Sequence, residues 1–112
     1  MKYLCLVYLS PQEWSSAPDE ACMACSNEMR SSGHFITGTP LHPAHTATTV
    51  RVRNGQLSVT DGPFAETKEQ LGGYYLVDCN NLDEAIAWAA KCPGARAGSI
   101  EVRPVVDFSQ PQ

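Results

Sequence analysis

Thr46-Ala-Thr-Thr-Val-Arg-Val-Arg-Asn-Gly-Gln-Leu-Ser-Val-Thr-Asp61 places two alternating runs on either side of Asn54-Gly55. Asn and Gly tolerate the positive φ angles of a two-residue primed turn, so the stretch predicts a β-hairpin whose register is set by the turn. Counting outward, Arg53 faces Gln56, Val52 faces Leu57, Val50 faces Val59 and Thr48 faces Asp61. One side then carries Val50, Val52, Leu57 and Val59, continued by Thr48 and Asp61, and it is expected to face the core. Arg51, Arg53, Ser58 and Thr60 take the other side, toward solvent or toward something outside the subunit.

On the N-terminal side of the hairpin, Tyr3 to Leu9 is a nearly continuous apolar run, the pattern of a central strand covered on both faces. Ser16-Ala-Pro-Asp19 can open a helix, with Ser16 as cap and Pro18 in the first turn, and Gly33 can stop it. Cys22, Cys25 and Met29 form its narrow apolar stripe. His34 to Thr37 is a weaker strand. On the C-terminal side, Gly73 to Cys79 reads as a strand. Asn81-Leu-Asp-Glu84 reads as a cap with its reciprocal acid, starting a helix that buries Leu82, Ala85, Ile86 and Ala89 with Trp88 at the margin. Cys92-Pro93-Gly94 ends that helix, and Ser99 to Val106 supplies the last strand.

The order strand, helix, strands, helix, strand predicts an α+β ferredoxin-like sandwich, with both helices on one face of an antiparallel sheet. The opposite face would lie bare, and a second subunit packed sheet to sheet in a twofold homodimer is the expected remedy. Residues 1–106 are expected to form one domain and residues 107–112 a frayed tail.

A chain of 112 residues, 43% of them hydrophobic, suffices for one core. Eight Lys plus Arg against twelve Asp plus Glu give a net charge of −4, which offers no broad cationic surface for nucleic acid. The opening apolar run is too short to span a membrane, and no membrane partner is expected. Five cysteines, an odd number scattered over putative helices and strands, point to reduced packing thiols and a cytoplasmic location.

Asp61 closes a strand ahead of Gly62-Pro63-Phe64. It either accepts hydrogen bonds from that turn or contacts a ligand and moves a proton. Phe64 reads as a hydrophobic plug for the loop or as a stacking platform. Glu66 and Lys68 either solvate the loop or position a ligand, and Thr48 sits across the hairpin from Asp61. His42 and His45 flank Pro43-Ala44 in a proline-rich loop and can supply an imidazole near Asp61 for acid and base chemistry. No metal site and no cofactor is expected, and the nucleotide-loop, zinc-helix and serine-elbow motifs are missing. Cys22-Met-Ala-Cys25 has redox-motif spacing inside a helix, where packing is the expected role.

Asp61-Gly-Pro-Phe-Ala-Glu-Thr-Lys-Glu-Gln-Leu-Gly-Gly-Tyr-Tyr75, with Thr46-Ala-Thr-Thr-Val-Arg51 before it, resembles the DGPF group of the YCII-related domain family. The likeness extends from Met1-Lys-Tyr3 through Leu82-Asp-Glu-Ala-Ile86 to Gly98-Ser-Ile-Glu-Val-Arg-Pro104. It implies a ferredoxin-like subunit that dimerises as an α+β barrel, in a bacterial family where a His and Asp pair in a cleft has suggested enzymatic activity. Asp61 matches the motif acid. The combined expectation is a polar pocket near Asp61 that binds a small molecule, with Asp61, His42 and His45 as candidate catalytic groups and Thr48, Phe64, Glu66 and Lys68 as ligand contacts. A noncatalytic regulatory or protein-interaction module is the alternative.

Overall fold

The computed structural model describes residues 1–13 and 19–108, so the Ser16 cap lies outside the described residues. Four strands make one antiparallel sheet: β1 (Lys2–Leu9), β2 (Phe35–Pro40), β5 (Gln70–Asp78) and β6 (Ser99–Pro104), in the order β2-β5-β1-β6. Helices α1 (Asp19–Ser31) and α2 (Leu82–Lys91) connect them in the βαββαβ manner, and a short α3 (Pro93–Ala97) follows α2 directly. β3 (Thr48–Arg53) and β4 (Gln56–Asp61) form a second, two-stranded sheet inserted between β2 and β5.

The sheet and helices meet in one core. Tyr3 and Cys5 of β1 stand beside Val77 and Tyr75 of β5, and Cys25 and Met29 of α1 with Ala85 of α2 cover them. Met29, Val77 and Cys5 are fully buried. α1 stops at Gly33, whose φ of 83° is natural for a residue without Cβ, and the amides of Gly33 and His34 return to the carbonyls of Arg30 and Met29. Asn81 caps α2 by accepting the Glu84 amide at 3.0 Å. The reciprocal arm of that box goes to the Asn80 amide, one residue earlier than the sequence pattern implies.

β1 is central as expected, but it is covered on one face only. Leu4, Leu6 and Tyr8, with Tyr74 and Leu76 of β5, lie half-buried on the face opposite the helices. A β-bulge bends this side: Val7 pairs with Gly73 and Tyr8 with Leu71, so Gly72 has no partner on β1. A second irregularity between Phe35 and Thr37 does the same to β2.

The hairpin register is the one counted from the turn, Thr48↔Asp61 through Arg53↔Gln56, with Asn54 at φ 53° and Gly55 at φ 75°. Its placement differs from expectation. Val50, Val52, Leu57 and Val59 do not face the core; they are between 59% and 68% exposed. The pair projects as an arm, and the chain is accordingly flat, 45 × 42 × 18 Å, with a radius of gyration of 15.8 Å. A compact chain of this length would measure about 13 Å. The burial expected of Leu82 and Ile86 fails as well. Leu82 and Ile86 are 47% and 49% exposed, because only the Ala85 and Ala89 stripe of α2 touches the sheet. Cys92-Pro93 ends α2 but Pro93, needing no amide bond in a first turn, starts α3.

Candidate functional site

The open face of the sheet ends in a hollow of about 380 Å³, lined by Tyr8, Thr67, Glu69, Ser99, Ile100 and Glu101. Antiparallel pairing sets Tyr8 opposite Ser99 and Leu6 opposite Glu101, which brings an aromatic ring, a hydroxyl and a carboxylate to one side. The loop after Pro63 brings in Thr67 and Glu69. Ser99 Oγ donates to Glu69 Oε1 at 2.7 Å, and Thr67 Oγ1 donates to the Glu69 carbonyl, so the loop is fastened to β6. Such a surface, apolar below and rich in acceptors at the rim, suits a small ligand with a flat apolar body and hydrogen-bond donors.

Asp61 sits at the open end of the hairpin, exposed and paired through its backbone with Thr48. The turn that follows is held by Gly62 N–H donating to the Ala47 carbonyl at 2.7 Å and by Thr49 Oγ1 donating to the Gly62 carbonyl at 2.8 Å. These bonds come from the Gly62 amide and the Thr49 hydroxyl, and neither involves the Asp61 carboxylate. His42 and His45 are exposed on either side of Pro43-Ala44, where a 3-10 turn spans Ala44–Thr46. Leu41 N–H donates to the Gly72 carbonyl, which ties this segment to the bulge in β5. Among the described residues no hydrogen bond or ion pair joins either histidine to Asp61 within one chain. Phe64 does not plug its loop: it is 79% exposed. Glu66 and Lys68 are exposed as well, alternating with the Thr67 and Glu69 that line the hollow.

The histidine that does meet a carboxylate is His34, at the end of α1. Its Nε2 lies 2.9 Å from Glu84 Oε1, and its Nδ1 lies 2.8 Å from Ser32 Oγ. Trp88 flanks the ring at 5.4 Å between centroids, and Lys91 covers the far side of Trp88 at 4.5 Å. Glu84 is held below the usual glutamate range, first by the Asn80 amide that it accepts and then by His34. Fifty residues separate His34 from Glu84, and the only sequence hints were the Gly33 stop before one and the cap before the other. Among the described residues no cluster of three His, Cys, Asp or Glu is disposed to hold a metal ion.

Burial dominates the thiols. Cys5 and Cys25 are pushed up to about 12 by loss of solvent, and Cys79 is raised for the same reason, so these groups stay protonated in the core. The helix spacing Cys22-Met-Ala-Cys25 is not a redox couple in itself: Cys22 is exposed and Cys25 is buried against Cys92.

An antiparallel sheet with its helices on one side, and with a projecting hairpin between its second and third strands, defines a mixed α/β subunit. The model of the YCII-related domain matches residues 1–109, and the chain belongs to that family. An uncharacterized protein of Rhizobium meliloti (strain 1021) is 43% identical over 98 residues, covering 82% of this chain and 79% of that protein. The solved 5-chloro-2-hydroxyhydroquinone dehydrochlorinase (TftG) from Burkholderia phenoliruptrix AC1100, in complex with 2,5-dihydroxybenzoquinone, is similar over 97% of both chains, with a TM-score of 0.59 and 15% identity. That likeness shows the fold. No helix among the described residues is long and apolar enough to cross a membrane.

Proposed function

We propose that the chain is a DGPF-type member of its family that works as a cytoplasmic homodimer, its two ferredoxin-like subunits meeting open face to open face as an α+β barrel. In the space so enclosed it binds a small, hydroxylated polar molecule and transfers a proton. The hollow at the end of the open face carries this reading. Tyr8 offers apolar contact to a ring, and the carboxylates of Glu69 and Glu101 accept from ligand hydroxyls. Asp61 is the proton-transferring acid, with His42 or His45 as its partner once a second copy closes the cleft, and Thr48, Phe64, Glu66 and Lys68 border the ligand. The fold neighbour was solved with a hydroxylated quinone, which agrees with this class of ligand.

Exposure supports the dimer. Leu4, Leu6, Tyr8, Tyr74 and Leu76 form one apolar band on the open face, and the hairpin adds a second apolar strip. Contiguous apolar surface of this kind is what a monomer ordinarily keeps small. Sedimentation and calorimetric titration with hydroquinone test both parts. A dimer at micromolar concentration that binds the probe, with affinity at least tenfold weaker in Glu69→Gln, supports the reading. A stable monomer, or binding indifferent to Glu69→Gln, overturns it. A dimer that binds no small hydroxylated compound favours the noncatalytic interaction module instead.

A further inference from the structure

Four of the five cysteines are buried, and they gather where α1, the end of α2 and the sheet meet. Two come from elements far apart in the chain. Cys25 faces inward from the middle of α1, and Cys92 occupies the junction between α2 and α3, 67 residues later. Their Sγ atoms are 2.7 Å apart. A disulfide measures about 2.05 Å, so the pair needs only a fraction of an ångström of closure. Cys92 Sγ also lies 3.5 Å from the Trp88 carbonyl, which orients it at the helix end. The Tyr75 hydroxyl is buried in the same cluster.

We propose that Cys25 and Cys92 are a redox couple that closes to an intramolecular disulfide when a hydroperoxide is the oxidant, fastening α1 to the α2–α3 junction. The reaction balances in two displacements. One thiol, as thiolate, attacks the O–O bond of hydrogen peroxide; a sulfur–oxygen bond forms, the oxygen–oxygen bond breaks, and the departing hydroxide takes up the thiol proton as water. The second thiol then attacks that sulfur, the sulfur–oxygen bond breaks, the sulfur–sulfur bond forms, and a second water leaves with the remaining proton. Two thiols are oxidised and one peroxide is reduced to two waters. The oxidant is small and uncharged, as entry to a buried pair requires. Burial keeps the Cys25 thiol protonated, so closure is slow at neutral pH and accelerates as pH rises. The exposed Cys22 is the competing target, one turn earlier on α1.

Treatment of the folded, full-length protein with hydrogen peroxide, followed by alkylation and peptide mapping by mass spectrometry, tests the proposal. The expected product is a Cys25–Cys92 cross-link, formed equally in Cys22→Ser and missing in Cys92→Ser. Closing so long a loop is expected to raise Tm by roughly 5 °C or more, reversibly with dithiothreitol. The wild-type map decides the question even if a core serine variant fails to fold. A map showing a cross-link of Cys22 to Cys25, a link through Cys5, or only oxygen adducts at Cys22 would overturn it. So would a Cys25–Cys92 bond that appears only in denaturant.

Discussion

Val77 and Val59 are both strand valines, yet one is fully buried in the helix-covered sheet and the other is 59% exposed on the hairpin arm. The two regions obey the same local rules. Each has its register fixed, each carries an apolar side, and each is closed by hydrogen bonds at its base. They differ in what lies across from the apolar side: α1 and α2 over the sheet, nothing among the described residues over the arm. Alternation therefore specifies a strand pair and its inner side, while the covering partner is decided by connections elsewhere in the chain.

That contrast can be broken at several points. Met29→Ala, in the layer between α1 and the sheet, is expected to cost about 2–5 kcal/mol in urea unfolding, because it leaves a cavity at a fully buried site. A cost below about 1 kcal/mol would mean that the helix layer collapses freely and is no better packed than the arm. Asn81→Ala removes the α2 cap and should cost about 1 kcal/mol, with Asn81→Asp close to neutral. Equal losses in the two variants would show that the Glu84 amide does not depend on the side-chain oxygen.

The His34–Glu84 contact sharpens the comparison through pH. Glu84 is lowered in the native state, so the stability it adds is fully present above the ordinary glutamate value of about 4.3 and is lost as pH falls through the native value. Glu84→Gln is expected to flatten that acid limb of the stability profile and leave the alkaline limb in place. An unchanged limb would assign acid sensitivity to other carboxylates. Smallest of all, Leu57→Ser on the arm should change unfolding by no more than about 0.5 kcal/mol when measured at concentrations too low for association. A loss as large as that of Met29→Ala would mean that the arm packs on its own subunit.

Much of the body was readable. The Asn54-Gly55 turn fixes the arm's pairing with no knowledge of the rest, and Asn81 with Glu84 fixes the start of α2, because both signals act within four residues. Leu82 and Ile86 misled because a helix face can look broad in sequence and still be covered only along its alanine stripe. Phe64 misled because an aromatic side chain says how much area it can bury and not where the burying surface is. The candidate site was legible in its loop: Thr67 and Glu69 line the hollow, and Glu66 and Lys68 alternate with them on the exposed side. Neither the His34–Glu84 pair nor the Cys25–Cys92 pair leaves a local trace, since each joins residues at least fifty positions apart.

The unpartnered Gly72 has one more effect. From Gly73 to Val77 the odd-numbered residues of β5 point toward the helices, and the surplus glycine resets that parity so that Leu71, though odd, emerges beside Tyr8 on the opposite side. The strand thus contains a spare link. Losing Gly72 would straighten the ribbon and leave Leu71 across from Tyr8 and Gln70 across from Leu9.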